Sequence, residues 1–156
     1  MAEIGSDIEK ATQLLIAGEL VGIPTETVYG LAGNALNLSA ITKIFEVKSR
    51  PQFDPLIVHV PNLEAAQKYT IEIPDRARLL ANQYWPGPLT LLLKKKSIIS
   101  DLVTSGLDTV GLRCPDHKLT QTLLHALPFP LAAPSANPFG YVSPTRAQHV
   151  EDQLGQ

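Results

Sequence analysis

A chain of 156 residues can bury a sizeable core, and 44% apolar against 18% charged residues excludes a disordered polymer. No apolar run reaches membrane-span length, the opening MAEIGSDIEK lacks the pattern of a secretory signal, and a single cysteine, Cys114, excludes an internal disulfide. A formal charge of −2, with no Cys/His cluster at metal-ligand spacing, argues against a strong nucleic-acid field and a structural metal, and a cytoplasmic protein is expected.

The first helix is marked by Ser6 and Glu9 as a capping box, an apolar stripe of Ile4, Ile8, Ala11 and Leu15, and Gly18 as the stop. The run LVGI reads as a buried strand that ends at Pro24. A second helix over 39–48 carries Ile41, Ile44, Phe45 and Lys48 on adjoining turns. PLIVHV is the next strand, helical patterns follow at 63–68 and 75–84, and LTLLLKK and TVGLR are further strands. Residues 116–127 read as helix and PLAA as a late strand. SPTRAQHVEDQL restarts a helix with Ser143 as N-cap and Pro144 at the first helical position. Lys94, Lys95 and Lys96 form the one basic run and read as a solvated strand end. Strands alternating with helices, without repeats or linkers, predict one α/β domain around an open sheet, with ligands where strands end in loops.

Four strand-edge segments hold most of the chemistry-bearing residues. PTETVYG, 24–30, places two threonines and Glu26 after a buried strand, a pattern that serves a polar ligand or a self-capped turn equally well. In KSRPQFDPLIVHV, 48–60, Lys48 and Arg50 stand two residues apart where a helix ends. They either complement the helix dipole or converge on phosphate, one as a point charge and one as a two-pronged donor. His59 lies in an apolar strand, where a satisfied core histidine is the commoner case. Arg113 ends the apolar strand TVGLR and requires a partner, either a ligand carboxylate or a structural acid of the chain. In APSANPFGYVSPT, 133–145, Ser135 and Asn137 alternate with Ala136 between two prolines, so their side chains share one face of a stiffened edge. Among 13 prolines, where average usage gives about eight, most flank the strands. Neither a P-loop nor a G-x-G-x-x-G pattern is present, so a nucleotide site here is built differently.

In this order PTETVYGLA, KSRP with PLIVHV, WPGPLTLLL, VGLRCPDH and APSANPFGYVSPT resemble the YrdC-like family of threonylcarbamoyl-AMP synthases, over about 21–145. The resemblance implies a twisted, open, mixed sheet flanked by helices, with a concave ligand cleft. It also implies a reaction in which L-threonine, bicarbonate or CO2, and ATP give threonylcarbamoyl-AMP and pyrophosphate, for threonylcarbamoyladenosine formation in tRNA. By the family pattern, Lys48, Arg50, Ser135 and Asn137 are the catalytic signature around ATP, and Thr109 and Ser143 match further ATP contacts. Asp54 stands where the family usually has asparagine, and a carboxylate there needs Mg²⁺ to bridge it to a triphosphate. Thr27, His59, Arg113 and the Ala133 backbone resemble the threonine contacts. Mg²⁺ carried by ATP is implied, with no protein metal site and no tightly bound organic cofactor. The implied partners are ATP, L-threonine, bicarbonate, tRNA or double-stranded RNA, and the downstream tRNA threonylcarbamoyl-transfer machinery, with no membrane.

The resemblance also implies that residues 1–156 form one domain that stops before the family's C-terminal segment, with its threonine-contacting serine and ATP-contacting arginine. An alternative of another class is an RNA-, tRNA- or ribosome-binding module on the same fold without synthase activity. A carbamoyl-transfer domain of the hydrogenase-maturation type is disfavoured, because acylphosphatase-like and zinc-finger segments are absent from the sequence.

Overall fold

The structure, a computed structural model, describes residues 2–49, 51 and 54–155. Helix α1 (Ile8–Ile16) starts from Asp7, whose carboxylate accepts the Lys10 N–H at 3.0 Å. The cap is thus one residue later than the capping-box pattern proposes. Aspartate caps as well as serine and adds a negative charge at the positive end of the helix. Gly18 ends the turn at φ 81°, a conformation that glycine adopts without a steric penalty.

Strand β1 (Val21–Ile23) runs antiparallel to β2 (Gly30–Asn34), a strand that its GLAGN sequence does not announce. Its glycines serve close packing: a Cβ on Gly30 would lie 3.2 Å from the Ala133 Cβ, and one on Gly33 2.8 Å from Leu20 Cδ2. Helix α2 (Leu38–Lys48) is capped by Asn37, which accepts from the Ser39 and Ala40 N–H groups. After β3 (Ile57–His59) come α3 (Leu63–Ala66), α4 (Asp75–Tyr84), β4 (Thr90–Lys94) and α5 (Asp101–Thr104). Then follow β5 (Thr109–Arg113), α6 (Lys118–Ala126), β6 (Leu131–Ala132) and α7 (Ala147–Leu154).

Helix α7 corrects the expectation at Ser143 and Pro144. It begins at Ala147 with Arg146 in the cap position. The Pro144 carbonyl instead accepts the Tyr29 N–H at 2.8 Å, so a tertiary hydrogen bond holds the segment outside the helix.

The six strands form one mixed sheet in the order β1-β2-β6-β3-β5-β4, with β3 and β5 parallel and the other pairs antiparallel. Alternation along the strands divides the core in two. One face packs Val58, Val110, Leu112, Leu91 and Leu93 against α2, α3, α4 and α5, through residues such as Ile44, Phe45, Ala66, Ala81 and Val103. The other face buries Ile23, Ala32, Leu131 and Ala133 under α1 and α6, through Leu15, Leu123 and Leu124. That second layer covers only the β1-β2-β6 half of its face. Over β3, β5 and β4 the same face carries residues that are exposed or polar. Among the described residues, no helix is long and apolar enough to cross a membrane.

Candidate active site

The uncovered half-face is three strands wide, about 10 Å at the usual strand spacing. Strand register sorts its residues into rows. His59, Arg113 and Thr90 form the first, Ile57, Gly111 and Leu92 the second, and Thr109 and Lys94 the third. Successive rows lie about 6.7 Å apart along the strands. A charged and polar end therefore adjoins an apolar floor, and Leu92 is 68% exposed there. Gly111 keeps the floor low, since a Cβ would sit 3.2 Å from Thr90 Cγ2.

The loop 24–29 between β1 and β2 reaches over to Arg113. Thr25 Oγ1 accepts from the Thr27 and Val28 N–H groups at 3.2 Å each, and the turn so closed presents Glu26 and Thr27. Arg113 Nη2 donates to Glu26 Oε1 at 2.5 Å and to Thr27 Oγ1 at 3.1 Å, while Glu26 Oε2 accepts the Asp116 N–H at 2.9 Å. The acid that Arg113 requires is thus one of the chain's own. Arg113 Nε, however, is buried and has no hydrogen-bond partner among the described residues. A buried donor left unmatched costs about 1–3 kcal/mol, so the site gains by receiving an acceptor. Burial raises the Glu26 pKa, but hydrogen bonds from its own backbone, Arg113 and Asp116, with the Arg113 charge, outweigh it and hold the group below its ordinary value.

His59 pairs with Arg113 in the parallel register and is 3% exposed. Burial first, and then the Arg113 charge, push its pKa down from 6.5 to about 4, so the ring is neutral at physiological pH. Its Nδ1 lies 3.3 Å from the Ile57 carbonyl, and the Leu131 backbone is a second hydrogen-bond neighbour of the ring. His59 is therefore a satisfied buried histidine.

Lys48 follows a different logic. It is 1% exposed at the end of α2, and its ammonium donates to the Ser135 carbonyl at 2.5 Å and to the Asn137 carbonyl. The Phe139 N–H returns a bond to the Lys48 carbonyl at 2.8 Å. The side chain thus buttresses the loop after β6. That loop is further stitched to the start of β2, with Leu31 N–H on Pro134 O and Ala136 N–H on Tyr29 O, both at 2.8 Å. Ser135 bridges Gly30 and is half-buried. Asn137 is buried, with Nδ2 donating to the Pro138 and Tyr141 carbonyls and Oδ1 unpartnered among the described residues.

The structure gathers the expected residues into two groups. Thr27, His59 and Arg113 meet at one end of the half-face, and Lys48, Ser135 and Asn137 meet in the loop beyond β6. The Ala133 N–H donates to Ile57 O at 3.0 Å, which ties that loop to the edge of the apolar row. Thr109 is half-buried in the third row, and Asp54 and Ser143 are half-buried on flanking segments. Arg50 lies outside the described residues. Glu26 escaped the sequence-based site because its partner is 87 residues away; the signal was present as the only charged residue in PTETVYG and an arginine in need of an acid. Cys114 is structural: it is buried, donates to Pro61 O at 3.1 Å and accepts from Gln121 Nε2. Burial raises its pKa, which keeps the thiol protonated.

A twisted mixed sheet with one uncovered half-face defines the class, and comparison with known proteins places the chain within it. Residues 13–156 match the family model Sua5/YciO/YrdC, described as telomere recombination, and the chain belongs to that family. It is 47% identical over 150 residues to a threonylcarbamoyl-AMP synthase of Pyrococcus abyssi, an alignment covering 96% of this chain and 44% of that protein. A threonylcarbamoyl-AMP synthase of Bacillus subtilis is 47% identical over 148 residues, covering 94% of this chain and 43% of the relative. The crystal structure of P. abyssi Sua5 complexed with L-threonine superposes with a TM-score of 0.93 at 44% identity, covering 97% of this chain and 45% of that one. The chain thus spans less than half the length of these relatives.

Proposed function

We propose that this chain carries the synthesis of L-threonylcarbamoyladenylate, in which L-threonine, bicarbonate or CO2, and ATP give threonylcarbamoyl-AMP and pyrophosphate. The observation that carries the reading is the unmatched Arg113 Nε beside neutral His59, on an uncovered half-face of a fold 47% identical to named synthases. In this reading Arg113 takes the α-carboxylate of threonine, Thr27 borders it, and the neutral His59 ring lies beside it. The amine nitrogen bonds to the carbon of CO2 and loses a proton to solvent or phosphate. His59, at about 4, is too weak a base to keep that proton at neutral pH. A carbamate oxygen then attacks the α-phosphorus of ATP, and pyrophosphate leaves with the electrons of the broken P–O bond.

That second step depends on positioning and on neutralising phosphate charge. Ser135, Asn137, Lys48 and Arg50 border the nucleotide in this reading, with Thr109, Ser143 and Asp54 at its edges, and the product serves tRNA modification in the cytoplasm. Among the described residues no three His, Cys, Asp or Glu side chains gather into a metal site. The donor set suits Mg²⁺ delivered on the triphosphate, where it supplies charge neutralisation. The RNA-binding alternative finds less support, because two lysines of the basic run are matched within the chain, Lys94 by Asp108 and Lys95 by Asp101.

The test is pyrophosphate release from ATP and bicarbonate with and without L-threonine, beside calorimetric titration of L-threonine alone. Threonine-dependent release is expected. Release indifferent to threonine, or no heat of threonine binding, would overturn the reading.

A further inference from the structure

We infer that Glu26 is a positioning residue: it fixes the Arg113 guanidinium so that Nε and its edge of the fork are presented to the carboxylate of the substrate. The inference rests on the threonine reading above for the identity of that carboxylate, and on geometry for the rest. An arginine at the end of a strand has three rotatable carbons and five N–H donors, and without a second anchor its fork sweeps many directions. Here one donor, Nη2, is fixed twice, by Glu26 Oε1 and by Thr27 Oγ1. Glu26 cannot itself swing, because its second oxygen accepts the Asp116 N–H at the entrance to α6. Arg113 is thus clamped from its own following loop through an acid that arrives from the far edge of the sheet. With Nη2 occupied, the buried Nε stays unmatched among the described residues and is the donor that a ligand oxygen would satisfy.

Two other roles for Glu26 fit less well. Both oxygens are already engaged, Oε1 by Arg113 and Oε2 by the Asp116 N–H, so a substrate ammonium would share them with groups that fix Glu26 in place. A carboxylate held by an arginine and two backbone groups is also a poor proton acceptor. Its action on the substrate is therefore routed through Arg113.

The experiment compares the intact wild-type chain with Glu26→Ala, Glu26→Gln, Arg113→Ala and the double variant Glu26→Ala/Arg113→Ala. Calorimetry reads L-threonine affinity, pyrophosphate release reads the KM for ATP, and the ¹⁵Nε–Hε resonance of Arg113 reads guanidinium order without any substrate. Glu26→Ala is expected to weaken L-threonine binding by about tenfold or more, with the ATP KM within about twofold. The Arg113 Nε–Hε resonance broadens or exchanges faster in Glu26→Ala, and Glu26→Gln restores part of both effects because its amide oxygen still accepts. The double variant binds L-threonine no worse than Arg113→Ala alone, since Glu26 then has nothing to position.

Additive losses in the double variant would overturn the inference, as would an ATP KM that rises in step with threonine affinity, or an Nε–Hε resonance indifferent to Glu26. If the wild type binds no L-threonine while the resonance still depends on Glu26, the threonine reading falls and the positioning role stands.

Discussion

Lys48, against the loop beyond β6, and Arg113, in the first row of the uncovered half-face, are two cations that the protein treats in opposite ways. Lys48 is fully withdrawn from solvent and spends its ammonium on the carbonyls of Ser135 and Asn137. Arg113 is held on one side by Glu26 and Thr27 and keeps a buried donor unmatched among the described residues. A lysine can saturate itself on backbone oxygens around a point, whereas a planar guanidinium engaged at one edge retains donors at another. The difference teaches that a positive charge near a cleft can hold the frame of the cleft as well as face its contents. What separates support from recognition is whether any donor remains.

The largest effect expected is on the supporting side. Lys48→Ala removes the lysine donor of the Asn137 carbonyl, leaves the Ser135 carbonyl only the Asn137 N–H, and opens a cavity, which together cost about 3–5 kcal/mol. At this chain length that lowers Tm by on the order of 10 °C, measurable by calorimetry. Lys48→Met refills the volume and recovers only part of the loss. A Lys48→Ala protein with wild-type Tm would erase the contrast with Arg113.

The next effect comes from His59. Its pKa is depressed from 6.5 to about 4 in the folded state, so the unfolded chain binds the proton more readily. The stability this contributes is complete above pH 6.5 and is lost as pH falls toward 4, on the order of 3 kcal/mol over the window. The urea midpoint measured from pH 7 to pH 4 should fall accordingly, and His59→Gln should flatten that part of the profile.

Arg113→Ala sharpens the contrast from the recognition side. It is expected to weaken L-threonine binding about 100-fold by calorimetry, with a smaller fall in Tm than Lys48→Ala. The smallest effect belongs to Lys94, whose pair with Asp108 is exposed on both sides. Lys94→Ala should leave Tm unresolved from wild type in the same scans, because exposed ion pairs are screened by water and salt.

Much of this was legible in the sequence because the signals were local. The strands PLIVHV, LTLLLKK and TVGLR and the helix at 75–84 carry period and composition that survive without tertiary context, and the structure places β3, β4, β5 and α4 there. What failed was non-local. Strand β2 is spelled with two glycines because neighbouring groups approach it closely, and no propensity scale rewards that. Ser143 and Pro144 have the chemistry of a helix start, yet the Tyr29 N–H claims the Pro144 carbonyl and the helix waits until Ala147. At the site, the need of Arg113 for an acid could be read from the strand end, but the identity of that acid could not, because Glu26 lies across the sheet. Lys48 was found as a cation of interest, while its burial against the loop beyond β6 depended on contacts between distant segments.

Those distant pairings set an order in time. Glu26 meets Arg113 across 87 residues, and Lys48 meets Ser135 across 87 and Asn137 across 89. On a chain emerging from the ribosome, Lys48 cannot find its carbonyl partners until almost the whole length described here is available. The helix that carries it forms early from local contacts, while its ammonium stays in water. The strands of the half-face can pair before the segment after β6 arrives, and only that later segment draws the lysine inward.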